Sequence, residues 1–293
     1  MRGSREELPF RLPATLRLGR VRLQVSDLAR SVEYYEKVLG FRVASLAPQR
    51  AVLTAHGDER PIVELRERLG ARPVPRRGRL GLYHFAILLP DRVSLGRFLR
   101  HLRDSGVRAG MSDHVVSEAI YLTDLDGLGI EVYADRPRST WREDRGELYM
   151  TTTPLDVHSM LEAAGDEPWT GMPVAAAIGH VHLFVDDLDQ AEKFYHSALG
   201  LDKTVWSYPG ALFFSAGGYH HHLGTNVWAA GAPRSEADDA RLLDWEIILP
   251  DTHDADEAAA SIESAGYAVS RIDNAWAAVD PWGTTLRVKG EHE

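Results

Sequence analysis

Residues 21–41, VRLQVSDLARSVEYYEKVLGF, return at 181–201 as VHLFVDDLDQAEKFYHSALGL, an offset of 160 with 8 of 21 positions identical. The same offset aligns HFAILLPD (84–91) with DWEIILPD (244–251). A finer period lies inside each half, because Asp27 and Asp91 are 64 apart and so are Asp187 and Asp251. The chain therefore reads as four copies of one small module. Each copy opens on alternating apolar residues such as Val21, Leu23 and Val25, the period of a strand with one buried face. An aspartate able to cap a helix follows. Then come apolar residues at helical spacing, such as Val32, Tyr35 and Leu39. Gly40, Gly106, Gly200 and Gly266 stand where helices end. Short strand-like runs complete each copy: AVLTA (51–55), PIVEL (61–65), IYLTD (120–124) and GIEVYA (129–134). The module is β-α-β-β-β. The expected domains are 1–134 (modules one and two) and 178–293 (modules three and four). Residues 135–177 form a connector with one short helix from Asp156 to Ala164.

The composition narrows the function. With 33 Lys and Arg against 43 Asp and Glu in 293 residues, the net charge is −10. A nucleic-acid binder needs the opposite balance. No apolar run approaches the ~18 residues of a membrane span. The opening MRGSREELPF lacks the apolar core of a secretory leader, so the expected setting is cytoplasmic. Cysteine is absent, which excludes disulfides, thiolate nucleophiles and cysteine-bound metals, while 13 histidines leave imidazole and carboxylate as the available ligands.

The four modules, with the phrase V-x-D-L…F/Y-Y…L-G, resemble the vicinal oxygen chelate superfamily, the glyoxalase/bleomycin-resistance/dioxygenase fold, over about residues 17–134 and 178–289. The resemblance implies an α+β fold in which modules pair into two cups of curled sheet. A divalent metal is then held by a residue seven before each helix-opening Asp and by one on the last strand. In this chain the first-strand positions are Arg20, His84, His180 and Asp244. The last-strand positions are Glu131 in module two and Arg287 in module four. Arginine stays protonated and cannot ligate. Pairing one with two would assemble Arg20, His84 and Glu131, with Glu64 nearby; pairing three with four would assemble His180, Asp244 and Arg287. Pairing two with three assembles His84, His180 and Glu131, the two-His, one-carboxylate set of non-haem Fe(II) oxygenases. The expectation is thus a metal site between modules two and three, with the outer modules paired to each other.

The resemblance sharpens to extradiol ring-cleaving dioxygenases of the catechol 2,3-dioxygenase type. Their signature reads here His114, five residues, Ile120-Tyr121, two residues, Asp124-Leu125-Asp126-Gly127, three residues, Glu131. Leu125 stands where proline is usual. A second phrase is Tyr219-His220-His221-His222-Leu223. The resemblance implies an Fe(II) cofactor, with Mn(II) as the alternative, and catechol and O2 as partners. It also implies an assembly of two or four copies. It casts His221 as the acid–base, since histidine gains and loses protons near pH 7. Tyr121 and His114 are the other catalytic residues, and His220, His182 and His222 are substrate-binding. The competing functions are a glyoxalase-like metal-dependent lyase or isomerase, which commonly uses four ligands, and a metal-free aromatic-binding resistance protein. Glu64 reads as a solvated or paired strand residue. The Arg72, Arg76, Arg77, Arg79 cluster reads as a solvated connector, and Glu236, Asp238 and Asp239 as a surface loop.

Overall fold

An aspartate and a glycine bracket the helix in each repeat. The structure, a computed structural model, describes residues 10–291. The leader-free reading of the N-terminus falls largely on residues 1–9, outside the described residues, as are 292–293. Module one comprises β1 (Arg17–Val25), α1 (Leu28–Lys37), β2 (Arg42–Ala47), β3 (Arg50–Thr54) and β4 (Val63–Glu67). Module two comprises β5 (Gly81–Leu88), α2 (Arg92–Asp104), β6 (Gly110–Asp113), β7 (Ser117–Thr123) and β8 (Gly129–Asp135). The connector holds a two-strand hairpin, β9 (Glu143–Asp144) and β10 (Glu147–Leu148), and α3 (Val157–Ala163). Module three comprises β11 (Ala177–Phe184), α4 (Leu188–Ala191), β12 (Asp202–Val205), β13 (Ala211–Ser215) and β14 (Leu223–Asn226). Module four comprises β15 (Arg241–Leu249), α5 (Thr252–Ser264), β16 (Val269–Ile272), β17 (Ala275–Val279) and β18 (Thr285–Gly290). Asp27, Asp91, Asp187 and Asp251 each cap their helix by accepting a backbone N–H three residues on. Helix α4 runs on into a wider π-helical stretch, Glu192–Ala198, which buries Phe194, Tyr195 and His196 in succession.

The modules pair across the halves of the chain. One eight-stranded sheet runs β12-β13-β14-β11-β5-β8-β7-β6 and the other β16-β17-β18-β15-β1-β4-β3-β2. Modules two and three therefore share a sheet through antiparallel β5 and β11, and modules one and four share the other through antiparallel β1 and β15. The change of sequence character at 134 and 178 marks a repeat boundary, and both sheets cross it.

Period two divides each central strand between two environments. Phe85, Ile87, Ile130, Val132, Val181 and Leu183 join the main core, one apolar cluster that also holds Val21 and Leu23 of the other sheet. Burial of such side chains contributes roughly 1.5–3 kcal/mol each. The alternate residues face the cup. The arginine cluster and the acidic loop, expected to be solvated, are joined to each other in part. Asp239 is buried and accepts from Arg72 and Arg79, clamping the module-one-to-two connector onto the loop before β15. No helix among the described residues is long and apolar enough to cross a membrane.

Candidate metal centre

Strand register sets the site. His84 lies opposite His182 across β5 and β11, and Ala86 lies opposite His180. Ala86 also pairs with Glu131 on β8, and Glu131 with Tyr121 on β7. Directly paired residues share a face, so one face carries His84, His180, His182, Glu131 and Tyr121. Gly224 on β14 pairs with His182, and a Cβ there would stand 2.9 Å from the imidazole ring. The missing side chain is what lets His182 lie over the strand.

His84, Glu131 and His180 each present one donor atom, all within 4.8 Å of one another and all buried. His84 Nε2 lies 3.0 Å and His180 Nε2 3.1 Å from Glu131 Oε2. Two donors bonded to a common ion at about 2.1 Å and at right angles would stand about 3.0 Å apart. His84 Nδ1 and Nε2 and His180 Nδ1 are buried without a hydrogen bond. His84 Nε2 is therefore close to the carboxylate yet not aimed along a hydrogen bond to it, as atoms directed at a third point would be. Orphaned buried nitrogens are rare, and a cation at that point would give His84 Nε2 the partner it lacks. Burial drives the His180 imidazole down to about 4, leaving it neutral at pH 7, the form that ligates. Burial works against the Glu131 charge, but the His180 and His84 imidazoles closing on it hold it well below the usual range.

A cavity of about 400 Å³ opens over this triad, within the ~300–1,000 Å³ typical of small-molecule sites. His221 lines it, its ring 4.1 Å from that of His180 and 4.9 Å from that of Phe213. Tyr121 and His114 line it together, with Tyr121 Oη 2.6 Å from His114 Nε2. His114 Nδ1 lies 3.1 Å from the Thr151 carbonyl, which fixes the proton on Nδ1, so Tyr121 donates to Nε2. Burial and the nearby Glu131 charge push the Tyr121 phenol well above its ordinary value, keeping it protonated. His182 also lines the cavity, and its Nε2 accepts from Asn226 Nδ2 at 2.9 Å. Asn226 Oδ1 takes the Trp228 N–H, which fixes the amide orientation. With Nε2 accepting, the ring proton is on Nδ1, so neither nitrogen of His182 has a free lone pair to offer as a fourth ligand.

The two other expected substrate-binding histidines do not line the cavity. His220 is fully buried behind His221. His222 points the other way, its Nδ1 accepting from the Ala216 N–H and lying 3.1 Å from Ser215 Oγ. Consecutive strand-like residues cannot all face one side.

The sequence pattern of the Glyoxalase/Bleomycin resistance protein/Dioxygenase superfamily matches residues 17–132 and 177–283. The chain belongs to this superfamily. It is 46% identical over 268 residues to a catechol-2,3-dioxygenase of Bacillus subtilis (strain 168), covering 90% of this chain and 93% of that one. A crystal structure from Bacillus subtilis subsp. subtilis str. 168, provisionally named a dioxygenase, superposes with a TM-score of 0.68 at 16% identity, covering 97% of this chain and 87% of that one. Glyoxalase I from Zea mays gives 0.55 at 18% identity, covering 94% and 92%. These two structures share the fold.

In this superfamily member the equivalent positions of the second sheet are filled by ion pairs. Register makes Glu64 the counterpart of Glu131, and Arg287 that of Gly224. Buried Glu64 meets Arg20 at 3.0 Å, Arg22 at 3.4 Å, Arg50 at 2.9 Å and Arg66 at 2.7 Å. Burial opposes its charge, and these guanidiniums still bring it down to about 2. Arg22 also pairs with Asp244 and Glu246.

Several cavity residues were not singled out as site residues from sequence. Tyr83, Tyr208, Phe213 and Trp228 form aromatic walls, and Met150 and Thr152 arrive from the connector. No spacing rule ties a connector to a module, so nothing in the repeat pointed to Met150 or Thr152.

Proposed function

We propose that this chain is an extradiol ring-cleaving dioxygenase, inserting both atoms of O2 into a catechol beside its two hydroxyls. The observation that carries the reading is the trio of His84, His180 and Glu131, buried and under-satisfied, at the floor of an aromatic cavity also lined by His221, Tyr121 and His114. The catechol-2,3-dioxygenase relative supports the same substrate class. Fe(II), with Mn(II) as the alternative, would be held by the three donors and would supply open positions for two catechol oxygens and O2. The aromatic walls bind the flat ring and exclude water. His221 takes a proton from a substrate hydroxyl and returns it later. Burial holds its imidazole well below the ordinary value, so it is an empty acceptor at pH 7. Tyr121, backed by His114, keeps a hydroxyl at the cavity wall to orient a substrate oxygen. His182 holds the opposite wall. A cytoplasmic setting and an assembly of two or four copies belong to the same proposal.

The test is anaerobic loading with Fe(II), then catechol and air, followed by absorbance of the yellow hydroxymuconic semialdehyde product; parallel loading with Mn(II) identifies the working metal. Glu131→Gln should lose metal and product formation while its circular dichroism stays unchanged. Failure of both metals to give product, or full activity in Glu131→Gln, overturns the proposal. The four-ligand lyase alternative receives no support from His182, whose Nε2 is already taken.

A further inference from the structure

His220 is fully buried and forms no part of the cavity wall, yet its ring bridges two polar partners. Its Nε2 stands 2.9 Å from Asp135 Oδ1, and its Nδ1 stands 2.7 Å from His221 Nδ1. Asp135 comes four residues after Glu131 on β8, and so on the same face of the sheet. A carboxylate only accepts, so Nε2 of His220 carries a proton. A ring holding one proton, on Nε2, has its lone pair on Nδ1. Two imidazole nitrogens 2.7 Å apart need one proton between them, and His221 must supply it from its own Nδ1. The neutral His221 ring is left with its lone pair on Nε2. Tyr219 steadies the carboxylate, its Oη 3.3 Å from Asp135 Oδ1 and 2.7 Å from Tyr133 Oη.

We propose that Asp135, acting through His220, is a positioning residue that fixes His221 in its Nδ1-protonated tautomer, so that an unprotonated Nε2 faces the substrate hydroxyl. The inference rests on the ring-cleavage reading above and deepens it. A free imidazole in water prefers the proton on Nε2, so the fold holds His221 against its intrinsic preference. The other neutral tautomer would present an N–H to a hydroxyl proton and could not accept it. Which ring nitrogen is free is set by the partner of the other, and here that partner chain runs outward from the cavity to Asp135. A purely structural Asp135 would satisfy the buried His220 ring without choosing the tautomer of His221.

The tautomer is read directly by long-range 1H–15N correlation spectra of the iron-free full chain at pH 8, above the ordinary imidazole value of about 6.5 and with no paramagnetic ion to broaden the signals. Wild-type His221 should show a protonated Nδ1 and an unprotonated Nε2. Asp135→Ala should move it toward the Nε2-protonated form. On the Fe(II)-loaded enzyme the same substitution should lower kcat about 10- to 100-fold, with KM and bound iron unchanged, and Asp135→Glu should restore part of the loss. A wild-type His221 protonated on Nε2 overturns the inference, even if Asp135→Ala fails to fold. So does an Asp135→Ala protein with unchanged tautomer and unchanged kcat. An inactive wild-type enzyme with the expected tautomer refutes the ring-cleavage reading and leaves the tautomer assignment standing.

Discussion

Lowering the pH from 7 to 5 should unfold the iron-free protein more readily, and the buried imidazoles set by how much. Burial takes His180 to about 4 and His222 to about 3, and pushes His182 and His221 well below their ordinary value. Each of these folded values lies below the unfolded one of about 6.5, so the unfolded chain binds the extra protons as the pH falls and stability is lost with acid. A group neutral when folded at pH 5 but protonated when unfolded contributes about 2 kcal/mol to that loss. His180 and His222 together give about 4 kcal/mol, and the other two raise the ceiling to about 8. Asp124 works the other way, since burial raises its carboxyl to about 6. It binds a proton in the folded state first and offsets about 1 kcal/mol. The expected net loss of about 3–7 kcal/mol is a large part of the ~5–15 kcal/mol that holds a domain together. Urea titrations followed by tryptophan fluorescence at pH 7, 6 and 5 measure it. His222→Asn keeps an acceptor for the Ala216 N–H but cannot titrate, so it should shrink the loss by about 2 kcal/mol. A stability that stays flat or rises toward pH 5, or a His222→Asn slope equal to the wild type, refutes the reasoning.

Two substitutions probe the cavity. Gly224→Ala puts a Cβ 2.9 Å from the His182 ring. It should drive the ring toward the substrate and cut kcat/KM by at least tenfold, at a cost of about 1–3 kcal/mol in unfolding free energy; unchanged steady-state kinetics would show that His182 has room to spare. Tyr121→Phe keeps the packing but removes the hydroxyl that His114 holds, and should lower kcat/KM about tenfold with unfolding nearly unchanged, as steady-state kinetics and urea curves would report.

Much of this architecture was readable because the chain states it four times. The capping aspartates and terminal glycines recur at fixed intervals and form the same helix ends in every module. The cross-half pairing was legible through chemistry more than through topology. Arg20 and Arg287 cannot ligate, so only modules two and three offered a credible donor set, and the sheets pair in that way. What could not be read was anything set by contacts between segments without a shared repeat. His220 meets Asp135 across 85 residues, which turns it into the residue behind His221. Asp239 meets Arg72 and Arg79 across 167 and 160 residues, so a loop and a connector that each look solvated neutralise one another. The π-helical turns at Glu192–Ala198 left no mark in the sequence, because the buried Ala191, Phe194, Tyr195, Ala198 and Leu199 keep ordinary α-helical spacing.

Glu64 and Glu131 occupy equivalent, fully enclosed positions in the two sheets, yet their surroundings predict different consequences of neutralisation. Glu64 is closed in by four arginines, of which Arg22 is buried and Arg20 mostly so. Glu131 meets the His84 and His180 imidazoles, and among the described residues no permanent cation pairs with it. Arg22 would keep Asp244 and Glu246, and Arg20 would keep Glu246, so neither is stranded when Glu64 is neutralised, but the buried charged hydrogen bonds to Glu64 are lost; the more exposed Arg50 and Arg66 add little. Glu64→Gln should therefore destabilise the iron-free chain by about 1–3 kcal/mol while leaving kcat of the folded, loaded enzyme unchanged. Glu131→Gln breaks no arginine pair and should shift iron-free stability by less than about 1 kcal/mol, while removing the stabilisation that added metal gives the wild type. The second sheet carries its cations in its own side chains, and the first leaves that charge to be supplied by an ion. If Glu131→Gln proved the more damaging change in the absence of metal, that division of roles between the two cups would be wrong.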